Sequence, residues 1–222
     1  MHSTSSQATH CCSNPARPTA IRVTGGSWSA LSLKQRRTNR SSTSWIARSS
    51  RPSRCRNTML DAPGGPAGGY AHTVPNRAGL YFPGFAMNTR FGLQDAPNVD
   101  HTCLWGTDGF ISTPSDLVRF GVAMSRDDLL EPGTIELLRT EGQLESGDPT
   151  GYGLGWFVRR VPLNGSLVRL IGHGGSAVGG STSFMTFPDH GLVIAVTSNV
   201  SFAEDAVRSL ALAAAEAFAG RE

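Results

Sequence analysis

The first sixty residues contain no Asp and no Glu. They hold Lys34 and nine arginines, whereas Asp61 onward holds ten arginines against all seventeen acids. The net charge of +3 over 222 residues is therefore the sum of a tract at +10 and a remainder at −7. Aliphatic residues are also scarce before Cys55, and no helical or strand periodicity can be traced there. Such a tract buries too little apolar surface to offset its chain entropy. Residues 1–55 are accordingly expected to be a disordered, basic, Ser/Arg-rich tail, and residues 56–222 the folded part.

Other absences exclude whole classes. Cys11 and Cys12 are adjacent, Cys55 sits in the basic tract and Cys103 stands by itself, so the four cysteines form no disulfide framework. No apolar run approaches the length of a membrane span, and the N-terminus has no apolar core of a secretory signal. His72, His101, His173 and His190 lack metal-ligand spacing, so neither a metal nor a cofactor is expected. The compartment stays undetermined.

Three explanations of the basic tract compete. A nucleic-acid arm is disfavoured because only Trp28 and Trp45 interrupt it and no binding motif is present. A mitochondrial transit peptide is Arg-rich, Ser-rich and acid-poor, as this tract is, although its length and three cysteines fit awkwardly. The preferred expectation is a frameshift or a misassigned start. Nineteen arginines to one lysine imply a GC-rich gene, and out-of-frame reading of such a gene gives this composition.

From Arg56 the chain acquires pattern. Ala62 to Gly69 is a turn-rich connector, Asn76 to Phe82 a short extended or irregular segment, and Gly84 to Val99 reads as loop. Thr113-Pro114-Ser115-Asp116 starts a helix, with Thr113 as N-cap, Pro114 at the first position and Leu117, Phe120 and Met124 as its buried stripe. A second helix begins at Pro132, with Ile135, Leu137 and Leu138 as its apolar face. A hairpin meander follows. Leu154, Trp156 and Val158 alternate with Gly155, Phe157 and Arg159, and Pro162 to Gly165 turns the chain. Leu167, Arg169, Ile171 and His173 then share one side of a strand, with Val168 and Leu170 on the other. His173 is expected to end that strand, and Gly174 to Gly180 to form a glycine-rich rim where another molecule can lie against the main chain. Thr182 to Phe187 and Leu192 to Thr197 are further strands, the latter buried on both faces. Ser201 and Glu204 read as a capping box for a last helix lined by Val207, Leu210, Ala211, Ala214 and Phe218. The fold class is α+β: an antiparallel sheet with a C-terminal helix packed on it and a partial helical region.

These residues carry a resemblance. Trp156 to Asn199 resembles the C-terminal sheet of the serine β-lactamase and penicillin-binding-protein superfamily, and within it the class C-like branch that includes the mitochondrial β-lactamase-like protein. The third motif of that branch, Lys/His-x-Gly, is similar to His173-Gly174-Gly175. Tyr152-Gly153-Leu154-Gly155-Trp156, the run from Asp108 to Leu117, and Arg56 to Asp61 resemble further family segments in the family's order. The resemblance covers Arg56 to about Ala219. It implies hydrolysis of an amide or ester through an acyl-enzyme, on a small-molecule or peptide acyl substrate once the domain is complete. It also implies roles for three residues. His173 would supply hydrogen bonding and, when protonated, positive potential; Gly175 would let a substrate backbone approach; and the N–H of Ser176 would be one of two oxyanion donors.

What the family needs besides is missing. Lys34 is the single lysine and Leu31 stands three residues before it, so no S-x-x-K exists. Tyr70, Tyr81 and Tyr152 are followed at plus two by His72, Pro83 and Leu154, so no Y-x-N/S exists either. Loss of the family's first strands would leave an exposed sheet edge. The chain as written is expected to perform little or no acyl transfer. The alternatives are a catalytically dead binding or assembly module that keeps the cleft wall, or a basic-arm nucleic-acid binder. A local Ser-His-Asp site from Ser112 or Ser115, His101 and Asp108 or Asp116 is set aside because helix capping explains the serines and aspartates, and Cys103 reads as a small buried residue.

Overall fold

In the computed structural model the described residues are 53–61, 77–85, 88–97, 99, 109–126 and 129–219. The basic tract up to Pro52, and with it Lys34, lies outside them, as do Tyr70, His72, His101, Cys103 and Asp108. Eight strands and three helices are described: β1 (Met59–Leu60), β2 (Tyr81–Phe85), β3 (Asn88–Asp95), β4 (Phe110–Ile111), α1 (Pro114–Ser125), α2 (Pro132–Arg139), β5 (Phe157–Leu163), β6 (Ser166–Ala177), β7 (Gly180–Phe187), β8 (Leu192–Ser198) and α3 (Glu204–Ala219). This is the expected α+β architecture.

The main sheet is antiparallel in the order β5-β6-β7-β8. Two-residue connections set its register: Asn164 and Gly165 both have positive φ and close the Leu163–Ser166 pair, and Gly179, also at positive φ, closes Ala177–Gly180. The alternation along β6 then sorts the core. Val168 and Leu170 join Met185, Phe187, Ile194 and the Ala211 and Ala215 methyls of α3 on one face. Ile171 joins Phe184, Trp156, Phe120, Met124, Ile135 and Leu138 on the other. Gly121 lets α1 sit on the second face, because a Cβ there would run into the Val193 and Phe184 side chains. β8 thus has a helix over each face, as its continuous apolar sequence implies; among the described residues no strand pairs along its outer edge, and Tyr81 of β2 bridges Val200 just past its end.

The start of α1 forms largely as expected. Thr113 is extended and its Oγ1 accepts the Asp116 N–H at 3.2 Å. The Asp116 carboxylate, however, does not turn back to the cap. It is fully buried and accepts from the Asn57 N–H at 2.6 Å, the Thr58 hydroxyl at 3.0 Å and Arg119 at 2.7 Å. This ties the segment before β1 onto the helix.

Several expectations are corrected. Gly84 to Val99 is no loop: β2 and β3 pair as a hairpin whose Phe85, Phe91 and Leu93 are exposed. With neither face buried along most of β3, no alternation marks it in the sequence. Pro162 lies inside β5, where an edge strand tolerates a residue without an N–H. Leu137 is exposed while Leu138 is buried, and on α3 Leu210 and Phe218 are exposed while Val207, Ala211 and Ala215 face inward. Ser201 caps nothing: its hydroxyl is buried and accepts the Gly179 N–H at 2.7 Å, clamping the β6–β7 turn. The Ala203 N–H at the head of α3 goes instead to Ser181 Oγ at 3.0 Å.

Candidate active-site wall

β6 runs on through the expected rim. His173 lies within this twelve-residue strand, opposite Phe184, and Gly174, Gly175 and Ser176 continue the pairing with Ser183, Thr182 and Ser181. The expectation that His173 ends the strand is therefore wrong. A strand of glycines lacks the apolar alternation by which strands are read, although its backbone can pair like any other.

Pairing groups alternate from side to side along an antiparallel strand. Because the Asn164-Gly165 turn closes on Leu163–Ser166, the even-numbered residues of β6 point their N–H and C=O toward β5. β5 ends at Phe157, opposite Gly172. The backbone groups of Gly174 and Ser176 therefore face a side where no strand continues among the described residues. Gly175 faces β7 and contributes the absence of a side chain. The Ser176 hydroxyl is not free for chemistry: it donates to Gly180 O at 3.1 Å, contacts Ser181 Oγ at 3.0 Å and accepts the Phe202 N–H at 3.2 Å.

His173 is buried, and both ring nitrogens are engaged. Nδ1 is 2.6 Å from Gly174 O and Nε2 is 2.9 Å from the Tyr152 hydroxyl. Phe157 stacks on the imidazole with centroids 4.6 Å apart, and Tyr152 meets Phe157 edge-on at 5.1 Å. Burial pushes the His173 pKa down, partly opposed by the hydrogen bond to Gly174, and burial pushes the Tyr152 pKa up. Since folded His173 resists a proton that the unfolded chain accepts below about pH 6.5, stability falls as the pH drops through that value.

Tyr152 joins the site although it is not among the three residues to which the resemblance gives roles there; the signal for it in the sequence is its place in the family-like run Tyr152-Gly153-Leu154-Gly155-Trp156. The two glycines bend this segment around the end of α2. The Leu154 N–H donates to Leu138 O at 3.0 Å, Gly155 has φ +83, and a Cβ at Gly153 would collide with the Leu138 and Thr140 carbonyl oxygens. Gly153→Ala is therefore expected to cost about 1–3 kcal/mol through overpacking, read as a lower urea midpoint. Gly133→Ala, whose added methyl meets open space in α2, should stay at wild-type stability or above. Equal midpoints for the two variants would remove this account of the motif.

Residues 35–218 match the Beta-lactamase family model. The chain belongs to the beta-lactamase family. With that membership comes a serine-hydrolase ancestry. Over 93 residues, 41% of this chain and 20% of the relative, this beta-lactamase-family chain is 32% identical to penicillin-binding protein 4* of Bacillus subtilis. Its fold is similar to that of a D-stereospecific amidohydrolase from a Streptomyces species, with TM-score 0.60, 23% identity and coverage of 82% of this chain and 49% of that one. It is also similar to a penicillin-binding protein from Bacillus halodurans, with TM-score 0.56, 16% identity and coverage of 76% and 48%. A D-amino acid amidase from Ochrobactrum anthropi, solved with L-phenylalanine amide, gives TM-score 0.56 at 18% identity over 76% of this chain and 48% of that one. The chain spans about half the length of these solved structures and a fifth of the curated relative. Among the described residues no helix is long and apolar enough to cross a membrane, and no cluster of His, Cys, Asp or Glu could hold a metal ion.

Proposed function

We propose that this chain carries the substrate-side wall of a serine acyl-transfer site and, as written, performs little or no acyl transfer by itself. One observation supports this most directly. The backbone groups of Gly174 and Ser176 lie on an open strand edge beside His173, in a chain whose single lysine belongs to no S-x-x-K. An acyl carbonyl presented along that edge would bring its oxygen to the Ser176 N–H as negative charge develops, and glycine at 175 would keep side-chain bulk away from the acyl group. His173 and Tyr152 would stand beside that edge. The substrate would be an amide or ester of a small molecule or peptide. Residues from Arg56 onward would form this wall, with Ser53 and Cys55 buried against the start of α1.

Donors for an oxyanion lower a barrier only when a nucleophile creates that oxyanion. Without the serine, its lysine and the tyrosine of the family motifs, the wall binds but has no bond to make. The full-length chain should therefore take no covalent label from a fluorophosphonate or a fluorescent penicillin, as judged by intact mass. It should also turn over a chromogenic ester and a chromogenic β-lactam no faster than buffer. A stoichiometric adduct on any serine overturns this reading.

A further inference from the structure

The Gly174 carbonyl is an acceptor and nothing else, so the 2.6 Å contact requires the hydrogen of the imidazole to sit on Nδ1. Neutral imidazole has one N–H, which leaves Nε2 as a bare lone pair. The Tyr152 hydroxyl, 2.9 Å away, must then be the donor. We propose that Tyr152 is the positioning residue of this wall: its hydroxyl donates to His173 Nε2 and, with Gly174 O, fixes a neutral imidazole that has no N–H left for a ligand.

Three further features support it. Phe157 packs face-on against the imidazole and edge-on to Tyr152, so ring and phenol are held in one orientation. Burial disfavours the charged form of either partner, which opposes transfer of the phenol proton to the imidazole. The Arg159 guanidinium lies 4.4 Å from the centroid of the same Phe157 ring and helps hold that ring against the imidazole. With the imidazole neutral, the positive potential that a protonated His173 would lend the cleft is absent, and another pattern stands in its place. The pair offers a ligand the lone pairs of the Tyr152 oxygen, while donors come from the backbone edge at Ser176.

The meaning of this for a substrate rests on the acyl-transfer reading above, but the protonation pattern does not, and its test needs neither substrate nor turnover. The full chain is labelled with ¹⁵N-histidine, and long-range ¹H–¹⁵N correlations are recorded at neutral pH, with His173→Gln assigning the signals. In the wild type, His173 should show a protonated Nδ1 and a hydrogen-bonded, unprotonated Nε2. In Tyr152→Phe, Nε2 should move to the position of an unbonded imidazole nitrogen, a shift that loss of packing alone does not give. A protonated Nε2 in the wild type overturns the proposal, as does an Nε2 signal that Tyr152→Phe leaves in place. The wild-type spectrum decides by itself if the variant fails to fold. Because no acyl donor is present, covalent labelling elsewhere in the chain would sink the inactive reading and leave this result standing.

Discussion

Trp156→Ala is expected to cost about 3–5 kcal/mol of folding free energy, the range for truncating a buried indole to a methyl. Trp156 is 7% exposed and sits where three elements meet: it lies parallel to Phe120 of α1 at 6.4 Å between centroids and against Phe184 of β7 at 6.0 Å. Ile135 and Leu138 of α2 complete the same cluster. None of these can collapse into the space, because α1 is seated by the contact at Gly121 and α2 by the Leu154 N–H bond to Leu138 O. A single domain has only about 5–15 kcal/mol to lose, so the variant should be mostly unfolded in mild urea. Trp156→Phe keeps an aromatic plane on Phe120 and should recover a large part of the loss. Urea titrations followed by far-UV circular dichroism measure both. A penalty under about 1 kcal/mol for the alanine would show that the sheet does not depend on this joint.

The second large effect is placed at Asp116. Its carboxylate is fully buried and receives the Asn57 N–H, the Thr58 hydroxyl and the Arg119 guanidinium. Alanine would leave all three without that acceptor. Thr58 still has Ser112 Oγ at 2.9 Å, and the Arg119 side chain is 49% exposed and can turn to water. The expected loss is therefore about 3 kcal/mol, at the low end of the range for breaking a buried ion pair. Asp116→Asn keeps the shape and one acceptor oxygen and should fall between wild type and alanine. The damage has a location as well as a size. Residues 53–61 are held to α1 by this carboxylate and by the Cys55 thiol, which donates to Asp116 O at 3.1 Å. Limited trypsin digestion should accordingly cut faster after Arg54 and Arg56 in Asp116→Ala than in wild type. Unchanged stability together with an unchanged cleavage pattern would refute the tether.

Legibility in the sequence followed burial. Strands with one buried face, such as Ser166 to Leu170, and the helix capped by Thr113 could be read because apolar periodicity and cap chemistry are local properties. The β2–β3 hairpin could not, since its hydrophobic side chains largely face water, the edge-on Phe85–Phe91 contact between its strands included. The choice of inward residues on α3 was also hidden. Val207, Ala211 and Ala215 face inward while Leu210 and Phe218 are exposed, because the rotation of the helix on the sheet is set by the packing of the two together and not by the helix sequence alone.

The same division runs through the site. His173, the glycines after it, the other family-like segments and the absence of S-x-x-K are facts of the one-dimensional chain; the first three carry the family resemblance and the last carries the proposal of an inactive chain. Where β5 stops, which edge of β6 it leaves open, and that Tyr152 meets His173 across twenty-one positions were decided by strand register and by the bend around α2. Hydrogen-bond partners between segments are chosen by where packing brings their backbones, and residue types record only what each partner is able to donate or accept.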